Sequence, residues 1–107
     1  MSYDISLTVD TGGTEPAAVW DGWNYTTNCA RMWRKAGADL AEFDGGVAGE
    51  CLPVLEAAIT EMAANPAEYT AMNPPNGWGS YESLLPALRE LAAGFRAHPK
   101  ATVRVWR

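Results

Sequence analysis

The spacing of apolar positions along this chain changes from two to three or four and back again. Tyr3, Ile5, Leu7 and Val9 alternate with Asp4, Ser6 and Thr8, the period that places one face of a strand on a core. Thr11-Gly12-Gly13-Thr14-Glu15-Pro16 supplies turn chemistry, so a second strand over 17–24 closes a hairpin. The spacing then becomes helical: Cys29, Met32, Trp33 and Ala36 share one face of a short helix capped by Thr26, Thr27 or Asn28 and ended by Gly37. Residues 38–46 read as an acidic loop ending in glycine. A helix over 48–65 carries Leu52, Leu55, Ile59 and Met62 on one stripe, and Pro53 requires it to begin near Gly49 or Glu50. Asn65-Pro66 ends it, with one more turn over 67–72. Leu84, Leu88, Leu91 and Phe95 mark the last helix, capped by Ser80 or Ser83, with Pro86 favouring the later start. Ala101, Val103 and Val105 then alternate with Thr102, Arg104 and Trp106 as a terminal strand. The order β-β-α-α-α-β predicts an α+β domain, a small three-stranded antiparallel sheet covered on one face by helices, with residues 1–107 forming a single domain.

Composition narrows the class. With 107 residues, 48% hydrophobic and 20% charged, the chain is long enough to bury one core without staples. Its apolar runs fall well short of the roughly 18–20 residues of a membrane span. The first residues show neither a basic nor an apolar leader segment, so no membrane association is expected and the expected location is the cytoplasm. In that compartment Cys29 and Cys51 are expected as buried free thiols rather than a bridge. The net charge of −5 opposes nucleic-acid binding, which depends on cationic neutralisation of phosphates. Between Ala36 and Leu88 there are eight acids and no Lys, Arg or His. Such a stretch is ordinarily a solvated face; a basic partner, or mimicry of a phosphate backbone, is the alternative use.

Catalytic patterns are sparse. Leu7-Thr8-Val9-Asp10-Thr11-Gly12-Gly13 has the strand-then-Asp-Thr-Gly form of an aspartic protease, but three helical stripes contradict that almost wholly β fold, and a strand running into a hairpin turn accounts for it. His98, the lone histidine, falls at a helix end, where an imidazole serves the free carbonyls and the dipole. Two cysteines and one histidine at wide spacing do not make a zinc site, Asp39, Glu42 and Asp44 lack calcium-loop spacing, and no glycine-rich phosphate loop precedes a helix. The chain is therefore not expected to be an enzyme, and no cofactor or metal is implied.

The tryptophans change the picture. Five occur, and three lie in the polar, turn-forming segments Trp20-Asp21-Gly22-Trp23-Asn24-Tyr25-Thr26-Thr27-Asn28 and Asn73-Pro74-Pro75-Asn76-Gly77-Trp78-Gly79-Ser80. Apolar volume alone does not need Asn, Thr and Gly beside it. The candidate binding residues are Trp23, Asn24, Tyr25, Thr26, Asn28, Asn76, Gly77 and Trp78, with aromatic rings for stacking and amides as donors and acceptors. Structural service is the competing reading: polar side chains satisfying strand and helix ends, Gly77 at positive φ, and Trp78 folded over the core between the last two helices.

Tyr3-Asp4-Ile5-Ser6-Leu7, Asn24-Tyr25-Thr26-Thr27-Asn28 followed by Met32, Asn65-Pro66 with Tyr69, and Asn76-Gly77-Trp78-Gly79, in that order, resemble a group of small bacteriophage and prophage proteins of unassigned activity. Pro53 and Pro86 depart from the smoother helices expected of that group. The resemblance implies a phage origin, and an arginine-rich, lysine-poor chain suits a high-GC host such as an actinobacterium. The expected role is then a phage accessory protein, a non-catalytic module that binds a host or phage protein through exposed members of the set Trp20, Trp23, Trp33, Trp78 and Trp106. A small-ligand site at the Asn/Trp cluster is the alternative, followed by an enzyme using Asp10, Asp21, Cys29 or His98.

Overall fold

The computed structural model describes all residues, 1–107. Strands β1 (Ser2–Val9), β2 (Ala17–Thr26) and β3 (Thr102–Trp106) form one antiparallel sheet in the order β2-β1-β3. Between β2 and β3 run α1 (Ala30–Lys35), α2 (Ala48–Ala64), α3 (Pro66–Thr70) and α4 (Tyr81–Ala97), with 3-10 turns at Thr27–Cys29 and Leu40–Phe43. This is the α+β arrangement that the apolar spacing predicts, with the extra turn after Asn65 present as α3. The molecule is elongated, 47 × 26 × 18 Å.

The core lies between the helices and one sheet face. Tyr3, Ile5, Leu7 and Val103 are buried from the sheet side, and Trp33, Leu55, Met62, Leu84, Leu88, Leu91 and Phe95 from the helix side. Tyr3 meets Trp33 edge to face at 5.0 Å. The loop read over 38–46 also contributes, because its 3-10 turn buries Leu40 and Phe43, and Phe43 packs on Phe95 at 6.1 Å.

The start of α2 at Ala48 is the one its apolar stripe predicts, whereas α4 takes the earlier of its two starts rather than the later one that Pro86 favours. Both α2 and α4 begin five residues before Pro53 and Pro86, so each proline stands in the second turn and removes one bond to the carbonyl four residues back. Both prolines are exposed. The start of α2 has a tertiary cause. Val47 offers no side-chain cap, and Ala48 N and Gly49 N donate instead to the carbonyls of Ala101 and Pro99 at 2.9 and 2.8 Å. For α4, Ser80 Oγ accepts from Ser83 N at 3.1 Å, fixing the earlier of the two capping choices.

The segment leading into α2 also protects one sheet edge. Gly45 N donates to Val103 O and Val103 N to Gly46 O, both at 2.8 Å, and Asp44 Oδ1 accepts from Val105 N at 2.9 Å. The outer edge of β3 is thus covered, leaving β2 as the open edge.

Candidate functional site

The candidate residues divide between two faces because a strand alternates. Trp23 and Tyr25 turn toward the helices. Trp23 is 4% exposed, and its indole Nε1 donates to Ala87 O at 2.7 Å. The Tyr25 hydroxyl accepts from Ser80 N at 3.1 Å and lies 2.6 Å from the Ser83 hydroxyl. Burial pushes the Tyr25 hydroxyl above its ordinary pKa, against the opposing pull of its bonds to Ser83 and Ser80. Both residues face α4, Trp23 buried against it and Tyr25 half-buried at its first turn.

Strict alternation would send Trp20 to the opposite face from Trp23. Instead, two residues of β2 lie between Trp20 and Trp23 where β1 has only Ser6 between Ile5 and Leu7, and Gly22 at φ +89° takes the turn that the extra residue demands. Trp20 consequently faces α4 as well, where its ring lies flat on Gly94; a Cβ at that position would stand 2.5 Å from the indole.

Asn24, Thr26 and Asn28 project on the other side. With Ser2, Asn76 and Trp78, and with Met1 at one end, they line an open groove of about 590 Å³. Asn24 Nδ2 donates to Ser2 Oγ at 3.1 Å and to Asp4 Oδ1 at 2.8 Å, and Thr26 Oγ1 caps the 3-10 turn by accepting from Asn28 N. Trp78 is 67% exposed, so it does not fold over the core. The loop that carries it is held from several sides. Asn76 Oδ1 accepts from Trp78 N at 2.9 Å, Asn73 Oδ1 accepts from Tyr81 N at 2.7 Å, and Tyr25 receives Ser80 N. Gly77 has φ +76°, the left-handed conformation that Asn-Gly indicates. Gly79, at φ +89°, presses so closely on Thr26 and Cys29 that a Cβ would stand 2.6 Å from Thr26 Cγ2. Gly77 is therefore a turn residue of the groove wall and contributes no side chain to it.

A second surface adjoins the groove. The helices leave the far side of the sheet bare, and the register places Asn24, Asp4 and Trp106 in one cross-strand row, Ser6 beside Arg104 in the next, and Thr8 beside Thr102 in the third. Trp106 is 55% exposed there. Two shallow depressions of about 510 and 470 Å³ flank it and share Thr8 and Pro16. Acidic side chains border them: Asp4 and Asp21 in the first, Asp10 and Glu15 in the second, with Arg104 the one cation. Sequence reasoning named Trp106 as a candidate exposed aromatic but left it out of the site, although its phase opposite to Val103 and Val105 marks it as outward-facing.

The residues considered for catalysis lie apart. Asp10 Oδ1 accepts from Gly12 N at 2.8 Å as a turn residue. Asp21 is exposed at the bulge. Cys29 and Cys51 are free, and burial pushes both thiols up in pKa, holding them as poorly nucleophilic SH groups. Cys29 contacts Tyr25 near the start of α4, whereas His98 caps its far end, about 25 Å along a 17-residue helix. No three His, Cys, Asp or Glu side chains converge in a way that could hold a metal ion.

Half of the acids of the middle stretch are matched by bases from either side. Lys35 pairs with Glu68 at 2.7 Å, Arg96 with Glu56 at 2.9 Å, Arg34 with Asp39 at 3.7 Å and Arg104 with Asp44 at 3.9 Å. Glu61 accepts from Asn65 and Tyr69, and Glu82 from Asn73. The acids bordering the bare sheet come from outside that stretch. Comparison with protein-family models, with curated proteins and with solved structures gives no match.

Proposed function

We propose that this protein is a phage-encoded, non-catalytic binding module that docks a host or phage protein on the bare face of its sheet. One observation carries the reading: three of five tryptophans are spent inside or against the helices, while Trp106 is held out on an uncovered, acid-bordered strand face. An exposed aromatic on a polar surface is the usual anchor of a protein interface, contributing much contact area at small entropic cost. Asp4, Asp10, Glu15 and Asp21 give the partner's complementary surface a positive charge, which speeds encounter and sets orientation. The expected location is the cytoplasm of the infected cell.

Photo-crosslinking tests the orientation. A photoreactive amino acid at Thr8 or Ala18, on the bare face, should yield one dominant protein adduct in host lysate, and the same group at Thr60, on the exposed side of α2, should yield none. The reverse pattern, or adducts of equal abundance from both faces, contradicts the proposal.

A further inference from the structure

The groove at the Trp78 end of the sheet has a chemistry different from that of the docking face. None of its lining side chains is charged, and five of the seven are polar. Asn28 has both amide atoms free of intramolecular partners, Asn76 has spent only its Oδ1, and Asn24 only its Nδ2. The groove therefore presents spare amide donors on Asn28 and Asn76 and spare amide acceptors on Asn24 and Asn28 around one exposed indole.

From this arrangement we propose that the groove is a binding site for a neutral saccharide chain, with Trp78 stacking on the C–H face of one sugar ring and the three asparagines reading its hydroxyls. A pyranose offers one apolar face and a rim of hydroxyl groups that both donate and accept, which is the complement of an indole ringed by amides. The volume of about 590 Å³ falls among small-molecule sites. Because the groove is open, a chain can pass through it without its ends being enclosed.

Competing ligand classes fit worse. An anionic ligand would find no cationic side chain on the lining, and the net charge of −5 repels it further. An apolar ligand would leave the amides unpaired. A metal would find too few carboxylate, thiol or imidazole donors. The rigidity of the 73–80 loop is the second, independent support. The bonds of Asn76 and Asn73 and the close seat of Gly79 against Thr26 and Cys29, besides serving the start of α4, hold the exposed tryptophan in place and reduce the ordering cost that a flexible aromatic would incur on binding.

The test uses the purified full chain with maltohexaose, cellohexaose and chitohexaose as neutral probes, each followed by side-chain NMR. At least one probe should shift the Asn24, Asn28 and Asn76 amide signals and the Trp78 indole signal, saturating in the range of about 1 mM. Trp78→Ala should weaken that binding by about tenfold or more, and Asn28→Ala, which breaks no intramolecular bond, by several-fold. Trp106→Ala should leave it unchanged, which separates this site from the protein-docking face. Absence of shifts with all three probes at about 10 mM overturns the proposal, as do shifts confined to another surface or an affinity indifferent to Trp78→Ala.

Discussion

At the scale of single residues, chemically identical side chains do opposite things, and burial decides which. Trp23→Ala empties a packed site and strands the Ala87 carbonyl, so chemical denaturation should show a loss of about 3–5 kcal/mol. Trp78→Ala removes a ring that is mostly in water, and its midpoint should stay within about 0.5 kcal/mol of the parent. A large cost for Trp78 would show that its ring packs in solution. Gly79→Ala should cost about 2 kcal/mol or more, because it combines left-handed backbone with a clash against Thr26 and Cys29. The sequence showed that Trp78 stands among Asn and Gly, which was enough to mark the groove. It did not show that Trp23 belongs to the core, since Asn24 beside it is outward only by alternation and the direction of that alternation is set by what lies beneath. Gly79 carries no sequence signal for its tight contact, because its neighbours there, Thr26 and Cys29, are some fifty positions away.

Elements inherit their geometry from such contacts. The bulge at Asp21 and Gly22 turns Trp20 and Trp23 onto the same face and lets both lie on α4, with Gly94 admitting the Trp20 ring. In a free helix, glycine to alanine gains about 1 kcal/mol; here Gly94→Ala should instead destabilise by about 1–3 kcal/mol, read from the urea midpoint. Stabilisation would mean that Trp20 does not occupy that position. The bulge explains why the hairpin was legible and its faces were not: period two predicts the strands, but the inserted residue reverses Trp20, and a second register shift between Trp20 and Ala18 restores the phase beyond it. Helix stripes survived because four apolar positions per helix outvote one proline; α2 starts where its stripe predicts, held by the carbonyls of residues 99 and 101, while the later start preferred for α4 was wrong because the Ser80 hydroxyl supplies a cap despite Pro86. The α2–α3 junction has a pH signature. Tyr69 is fully buried, its hydroxyl donating to Glu61 at 2.6 Å, and burial first, then Glu61, raise its pKa far above the ordinary value of 10.0. A raised folded-state pKa gives stability that is complete below the unfolded value and lost above it. Stability should therefore fall as pH climbs past about 10, and Tyr69→Phe should flatten that fall; a profile of the same slope in the variant would refute the assignment.

For the whole molecule, placement of charge and aromatic surface matters more than their totals. Net charge and the run of acids suggested an acidic middle, yet bases on α1, α4 and β3 answer half of those acids, and the acids at the bare sheet lie outside that run, in segments where the sequence drew attention to Asp10 and Asp21 for catalysis rather than for a charged face. A docking face of this kind should release its partner as salt rises, since the Debye length falls from about 10 Å at 0.1 M to about 3 Å at 1 M. Affinity capture from bacterial host lysate is the most direct test of the docking claim, using the tagged parent, a folded Trp106→Ala variant and a folded Val54→Ala variant on the exposed side of α2. The account predicts one stoichiometric protein, retained by the parent and by Val54→Ala, lost from Trp106→Ala, and eluted by salt. Equal retention by all three forms, selective loss from Val54→Ala, or no retained protein would contradict it.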